Sequence, residues 1–315
     1  MKSSSNCIYL KPNELVGTIS SEYRYRIFMR LATLLDNPSS VAVVVDEGVI
    51  PLNRFISHFG LPTDWKTDMK SLIELYLDDF VQWYRNNYSF SEDLQPVRLS
   101  EVVFGPLLTN PGKIWGIGLN YADHAADLDE STPAIYPGSF MRPVTTIIGH
   151  NQTIQLPDLS QRTTGEGELG VIIGKKSKNI DRSNWLDAVA GFTTINDMTA
   201  EDILRLNPRY LTLAKSFDTY FSIGPVLITK DEFTTEQIME LEVCTVLNHQ
   251  IHAKNQVKNM RYPPDFLVAF HSEVMTLLPG DIISTGTPRA VHINSGDTVS
   301  CYISGFYSLD NLVIR

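Results

Sequence analysis

The feature that most constrains the fold is a change of pattern near residue 105. Beyond it the sequence breaks into short β-like runs of apolar and β-branched residues, separated by glycine and proline. We predict ten strands there, over residues 114–119, 145–148, 152–156, 168–173, 191–196, 223–228, 241–247, 281–285, 297–303 and 311–314. Helical periodicity is confined mainly to residues 199–206 and 264–276, so the strand–helix alternation of a doubly wound parallel sheet is missing.

The residues before this point have a mixed pattern. Apolar residues at helical spacing predict one helix over residues 21–36 and a longer amphipathic helix over residues 66–84. Between them, the apolar runs 41–45 and 49–50 flank an Asp-Glu-Gly turn, which predicts a hairpin.

Glycine and proline between residues 104 and 112 mark a boundary. We therefore expect a smaller N-terminal α/β appendage of residues 1–105 and a main unit of residues 106–315. The expected fold class is α+β, mostly β.

Charge and composition exclude several classes of partner. The 26 Lys and Arg residues are outnumbered by 36 Asp and Glu residues, and no basic run appears, which argues against nucleic acid. No unbroken apolar run is longer than that of Val41–Val45, which is far too short for a membrane span, so no membrane partner is expected. Three scattered cysteines give neither a disulfide framework nor a metal-ligand spacing, which suits a reducing, cytoplasmic compartment.

Two glycines, Gly116 and Gly118, follow an apolar run in the manner of a nucleotide-binding loop. A third glycine at the required spacing is absent and no helix pattern begins there, so dinucleotide binding is not indicated. We expect these glycines to shape the end of a strand.

A candidate metal site involves three carboxylates. Glu166 and Glu168 are separated by one residue at the head of an apolar run, so in a strand both project from the same face. Alone, such a pair is also typical of a solvated strand face. Asp197 ends the next predicted strand, and an adjacent strand would bring it beside the pair. Three carboxylates without paired Cys or His favour Mg²⁺ or Mn²⁺.

A candidate general base lies in the segment that follows Tyr121. His124 and Asp127 are three residues apart, a spacing of about one helical turn. The carboxylate would orient the imidazole, whose pKa near neutrality suits proton transfer from water or from a carbon acid. A surface His–Asp pair without catalytic function is the alternative. Further on, the turn at Gly286 and Thr287 offers a backbone or hydroxyl donor for a substrate carboxylate.

Taken in order, six segments resemble the fumarylacetoacetate hydrolase family over residues 105–315. They are Lys113-Ile-Trp-Gly-Ile-Gly-Leu-Asn-Tyr121 leading to His124, Glu166-x-Glu168-Leu-x-Val-Ile-Ile-Gly174, Asn196-Asp197-Met-Thr-Ala, Ala214-Lys215-Ser-Phe-Asp218, Ile223-Gly-Pro225 and Leu278-Pro-Gly-Asp-Ile-Ile-Ser-Thr-Gly-Thr-Pro288.

The resemblance implies a mixed β-roll that forms a homodimer and binds one Mg²⁺ or Mn²⁺ through the positions of Glu166, Glu168 and Asp197. It implies a small oxo acid or β-dicarbonyl substrate, which chelates the ion so that an enolate is stabilised. It also implies catalytic roles for His124, Asp127 and Lys215. The remaining implied substrate contacts are Tyr121, Arg142, Gly286 and Thr287.

Several positions depart from the family pattern. Asp127 stands where Glu is common, Arg142 where Lys is frequent, and Glu201 and Ala253 where Arg and Gln are usual. Because Glu201 would repel a second carboxylate, we expect a substrate with fewer carboxylates than the family's usual diacids.

Three functions follow as alternatives. The first is hydrolysis of a C–C bond in a β-dicarbonyl compound. The second is decarboxylation, isomerisation, dehydration or ring formation through the same enolate. The third is non-catalytic ligand binding, suggested by the altered substrate contacts.

Overall fold

The structure is a computed structural model that describes residues 29–35, 41–89, 92–122 and 132–315. The described chain forms seventeen strands, β1 to β17. Their bounds are Arg30–Thr33, Val41–Val45, Gly48–Pro51, Ile114–Gly118, Gly138–Met141, Ile147–Ile148, Ile154–Gln155, Thr163–Ile173, Val189–Ala200, Phe221–Ile223, Val226–Thr229, Glu242–Leu247, Gln250–Gln256, Ile282–Ser284, Val291–Ile293, Thr298–Ile303 and Leu309–Ile314.

Seven α-helices, α1 to α7, lie in the same described ranges. They cover Leu52–Phe59, Met69–Leu75, Leu77–Asn87, Glu201–Leu206, Leu211–Lys215, Thr235–Met239 and Pro264–Val274. Among the described residues no helix is both long and apolar enough to cross a bilayer.

Two sheets contain the described strands. The larger has twelve, with a main path in the order β3-β2-β1-β11-β9-β8-β14-β4-β5, and the smaller has five, in the order β13-β12-β16-β17-β7. Their facing sides form one apolar core, in which Leu169 and Val171 of β8 pack with Val243 of β12 and Cys301 of β16. This mostly β architecture confirms the expected fold class.

Strands β8 and β9 form the centre of the larger sheet. They pair antiparallel over nearly their whole length, and every residue of both is buried. Burying carboxylates on a strand lowers stability unless those groups have hydrogen-bond or charge partners. The carboxylates of β8 and β9 therefore require such partners inside the protein.

The N-terminal strands belong to the same larger sheet. Strand β1 pairs antiparallel with β11, with Leu31 opposite Leu227, and with β2 on its other side. Helices α1 to α3 cover one face of this sheet and share a core with Ile172, Ile195 and Ile282. The boundary at residue 105 stays a prediction, although backbone hydrogen bonds and a common core join the residues on either side of it.

Two local predictions need correction. The helix over residues 21–36 is wrong where the structure describes it, because Arg30–Thr33 is a strand hydrogen-bonded on both sides. The rest of that range lies outside the described residues. The single helix over residues 66–84 is divided in two at Tyr76, whose backbone leaves the helical conformation. The hairpin over residues 41–50 is confirmed, with Val43 opposite Ile50.

Candidate active site

The strand register brings the predicted carboxylates together. Glu166 lies directly opposite Asp197 in the β8–β9 ladder, and Glu168 follows two residues along β8 on the same face. All three side chains are buried, and Asp197 is the most deeply buried of them. This face of the sheet also carries the apolar residues that pack against the N-terminal helices.

Two basic side chains hold Asp197. The Lys215 ammonium at the end of α5 donates to Asp197 Oδ1 at 2.6 Å and to Glu166 Oε2 at 3.2 Å. The Arg142 guanidinium, which follows β5, binds both Asp197 oxygens and also donates to the carbonyls of Met198 and Lys215. The result is a buried network in which Lys215 links the two strands.

An aromatic ring holds the two cations in place. The Lys215 Nζ atom lies 4.9 Å from the centroid of the Phe140 ring, and the Arg142 guanidinium carbon lies 5.6 Å from the same centroid. Phe140 fits here because Gly116 lies opposite it in the β4–β5 pair, where a Cβ atom would overlap the ring. Gly116, which superficially resembled part of a nucleotide loop, therefore makes room for this ring.

Hydroxyl and backbone donors complete the carboxylate network. Glu166 Oε1 accepts from the Thr199 hydroxyl at 2.7 Å. Glu168 Oε2 accepts from the Ser284 hydroxyl at 2.6 Å and from the Gly286 amide at 2.8 Å. Gly286 has a φ of +98°, which glycine adopts without strain, and this conformation aims its amide at Glu168.

The network keeps an excess of negative charge around Glu168. Burial and, to a smaller extent, the charges of Asp197 and Glu166 raise the pKa of Glu168 to about 8. Lys215 and the Ser284 hydrogen bond oppose this increase but do not cancel it. A carboxyl that is protonated this readily marks a place where a further cation would be stabilising.

The structure places the other predicted site residues as follows. His124 and Asp127 lie outside the described residues. Gly286 borders Glu168, but Tyr121 packs in the core between the two sheets, on the opposite side of β8. The Thr287 hydroxyl is 3.2 Å from that of Thr245 and donates to the Arg289 carbonyl.

Arg142 has a different position from the predicted substrate contact. Its side chain is 0% exposed, and its guanidinium bonds to Asp197 and to backbone carbonyls. The arrangement makes Arg142 a positioning residue for Asp197. The sequence carried a basic residue at this place but no signal for its partner, which is 55 positions away.

Glu201 is not the unpaired charge that the sequence suggested. Its Oε2 atom accepts from Arg162 at 2.7 Å, and its Oε1 atom accepts from Arg205 at 2.7 Å. Burial would raise the pKa of Glu201, but these hydrogen bonds and charges outweigh burial and hold the pKa below its ordinary value. The expected repulsion of a second carboxylate therefore loses its basis. The Arg205 contact has the i,i+4 spacing, so the sequence did contain a signal for it.

Comparison with known proteins agrees with this architecture. Residues 113–314 match the family model for the C-terminal domain of fumarylacetoacetate hydrolase. The chain therefore belongs to the fumarylacetoacetate hydrolase family. It is 34% identical to the human mitochondrial oxaloacetate tautomerase FAHD2A over 224 residues, which cover 68% of this chain and 70% of that protein.

Two solved structures share the fold over 91% of this chain and 99% of theirs. A 5-carboxymethyl-2-hydroxymuconate delta-isomerase from Mycobacterium smegmatis superposes with a TM-score of 0.67 at 28% identity. A maleylpyruvate hydrolase from Sphingobium sp. SYK-6, solved with manganese(II) and pyruvate, superposes with a TM-score of 0.72 at 25% identity. The relatives are named as a tautomerase, an isomerase and a hydrolase, so the family includes enzymes of more than one reaction class.

Proposed function

We propose that this chain is a divalent-cation-dependent enzyme that hydrolyses a C–C bond in a small 2-oxo acid or β-dicarbonyl compound. The observation that carries the proposal is the cross-strand pair of Glu166 and Asp197, with Glu168 beside it and Lys215 between the strands. Such a concentration of buried charge is costly for stability, and it suits a binding site better than a structural role.

The donor set fits a hard divalent cation. Glu166, Glu168 and Asp197 would hold it, since carboxylate oxygens are the ligands that Mg²⁺ and Mn²⁺ prefer. The raised pKa of Glu168 is consistent with this assignment, because it comes first from burial and then from the charges of Asp197 and Glu166, which Lys215 and Ser284 do not fully offset. Among the described residues no three His, Cys, Asp or Glu side chains are already arranged as metal ligands, since Glu166 and Asp197 lie side by side but are bound to Lys215 and Arg142. The Lys215 ammonium, which links two of the three carboxylates, would have to move from at least one of them.

The bound cation supplies a Lewis acid for the oxygen atoms of the substrate. The chain's own residues supply proton transfer and orientation. We assign His124, oriented by Asp127, as the base that takes a proton from the attacking water. The hydroxyl group then adds to a carbonyl carbon, the adjacent C–C bond breaks, and the proton passes to the carbon that leaves. Lys215 remains as a hydrogen-bond donor beside the reacting groups.

A second candidate is keto–enol tautomerisation of an oxo acid. The 34% identity to an enzyme named oxaloacetate tautomerase favours it. In this reaction His124 would move a proton between carbon and oxygen without any attack by water. Decarboxylation, isomerisation, dehydration and ring formation remain alternatives of the same kind, since each can pass through an enolate, which forms by loss of a proton or, in decarboxylation, by loss of carbon dioxide.

Product analysis separates the two candidates. Purified protein is incubated with acetylpyruvate and Mn²⁺, and products are identified by mass spectrometry. A hydrolase releases acetate and pyruvate, whereas a tautomerase changes only the ultraviolet absorbance of the enol. His124→Ala should lower the rate about 10²- to 10⁴-fold while leaving the affinity for Mn²⁺ intact.

Metal binding is tested by calorimetry with Glu168→Ala, which we expect to abolish binding of Mg²⁺ and Mn²⁺. Glu242→Ala is the matched control, because Glu242 is 42% exposed and pairs only with the surface residue Lys254 in the contacts described. Unchanged Mn²⁺ affinity in a folded Glu168→Ala protein would show that the assigned site is wrong.

A further inference from the structure

The polar face of β8 and β9 continues past the carboxylate cluster, which consists of Glu166, Glu168 and Asp197. Thr164 lies opposite Thr199, one step beyond the Glu166–Asp197 pair, and both threonine hydroxyls point to Glu166. The next step pairs Arg162 with Glu201, whose amide donates to the Arg162 carbonyl at 2.9 Å. Because side chains on one face repeat every second residue, Arg162 and Glu201 extend the same row.

Exposure increases along this row. The side chain of Asp197 is 1% exposed and that of Glu166 is 8% exposed. The side chain of Glu201 is also 8% exposed. Those of Arg162 and of Arg205, which lies on α4 and binds Glu201, are 51% and 49% exposed. The row therefore runs from the buried cluster to solvent and ends in two guanidinium groups.

The group formed by Arg162, Arg205 and Glu201 has a positive charge. Two guanidinium groups share the single carboxylate of Glu201, which leaves one net positive charge. The adjacent Asp202 adds a negative charge nearby, but both of its oxygen atoms already accept hydrogen bonds, from the Ser160 hydroxyl and the Gln161 amide. Arg162 uses its Nε atom on Glu201, and within the described contacts its two terminal nitrogens have no hydrogen-bond acceptor. They are free to bind an anion in a planar, two-point manner.

We infer that Arg162 and Arg205, held in place by Glu201, bind the distal carboxylate of a dicarboxylic substrate whose 2-oxo acid end lies at the carboxylate cluster. This inference rests on the proposed function and specifies its substrate class. The Cα atoms of Arg162 and Glu166 are about 13 Å apart along the strand. An arginine side chain and a short dicarboxylate together span that distance.

The role of Glu201 in this arrangement is to orient both arginines. A glutamate that accepts a hydrogen bond from each arginine keeps their side chains together, and its negative charge neutralises one of their two positive charges. It therefore tunes the affinity for an anion without excluding it. The prediction that a substrate with fewer carboxylates is preferred is reversed by this geometry.

The test compares two acylpyruvates with Mn²⁺ and the full-length protein. Acetylpyruvate carries one carboxylate, and succinylpyruvate carries a second at its far end. In Arg162→Gln and in Arg205→Gln, the ratio of kcat/KM for succinylpyruvate to that for acetylpyruvate should fall about tenfold, mainly through KM. Glu201→Gln should raise the same ratio, and an increase is not a result that structural damage gives.

Arg182→Gln is the matched control. Arg182 is 53% exposed and pairs with Asp265 at 2.6 Å, so it has the exposure and partner type of Arg162 but lies beside α7. Its substitution should leave the ratio at the wild-type value. A ratio equally unaffected in Arg162→Gln and Arg205→Gln overturns the inference, and hydrolysis of acetylpyruvate in that case leaves the proposed function standing.

Ligand-induced stabilisation separates binding from turnover. If neither compound is turned over, but succinylpyruvate raises the Tm more than acetylpyruvate and Arg162→Gln removes the difference, the carboxylate contact holds and the proposed reaction fails. If neither compound raises the Tm or is turned over, both the contact and the reaction are wrong.

Discussion

The two faces of the β8–β9 pair share one backbone but differ in their side chains, which are charged on one face and apolar on the other. One face carries Glu166 and Asp197 with their two basic partners, whereas the other carries Leu169 and Val171 in the core between the sheets. Both faces are equally buried. Burial therefore does not explain the charges. An apolar core of the same size would stabilise the sheet at least as well, which favours a functional rather than a structural role for the charged face.

The largest effect on stability should come from Asp197→Ala. This change leaves the buried Arg142 guanidinium and the Lys215 ammonium without their main partner. We expect the free energy of unfolding to fall by about 3–5 kcal/mol, as measured by urea denaturation. Adding Arg142→Met should recover part of the loss, because it removes the unpaired charge. A loss below about 1 kcal/mol, the usual value for an exposed pair, would mean that the network is solvated.

A smaller loss is expected from Leu169→Ala on the opposite face. Leu169 is fully buried among apolar side chains, so its truncation should cost about 3 kcal/mol through lost contacts and a cavity. The affinity for Mn²⁺, followed by calorimetry, should remain that of the wild type. Loss of Mn²⁺ binding in a folded Leu169→Ala protein would show that the two faces are not independent.

The smallest effect should appear at His271 on α7, which lies on the apolar side of the sheet. Its Nε2 atom is 2.8 Å from the Ser139 hydroxyl, and its Nδ1 atom is 2.7 Å from the Leu267 carbonyl. Burial lowers the pKa of His271 below its ordinary value of 6.5, although the Leu267 hydrogen bond opposes this. The unfolded chain then binds the proton more readily than the folded chain.

This shift gives a stability contribution that is present above pH 6.5 and is lost as the pH falls through the lowered pKa. Comparing the urea stability of wild type with that of His271→Gln across this range isolates the effect, with a slope of at most about 1.4 kcal/mol per pH unit. A difference between the two proteins that does not change with pH would exclude this titration.

Much of the fold could be predicted because short-range patterns determine it. The strands over 168–173 and 191–196 and the hairpin at residues 41–50 have strong alternation or turn signals, and all three are present. The helix predicted over residues 21–36 failed at Arg30–Thr33 because a strand partner almost 200 residues away, in β11, overrides local periodicity. No pattern within that segment reports such a partner.

The site, too, has a part that the sequence predicts and a part that it does not. The proximity of Glu166, Glu168 and Asp197 could be predicted, because it needs only period-two alternation and two adjacent strands. The partners that keep these groups buried could not, since Arg142 and Lys215 come from segments that meet β9 only in the folded chain. The same holds for Glu201, whose charge is balanced in part by Arg162, 39 positions earlier.

The continuity of the larger sheet determines how the chain can be shortened. Removing residues 1–105 would strip β1 from β11 and leave a row of unpaired backbone amides and carbonyls at Val226–Ile228. It would also uncover Ile172, Ile195 and Ile282, which pack under the N-terminal helices. An open strand edge beside an exposed apolar patch is a template for self-association. A C-terminal fragment made for crystallisation or engineering should therefore aggregate unless a replacement strand caps that edge.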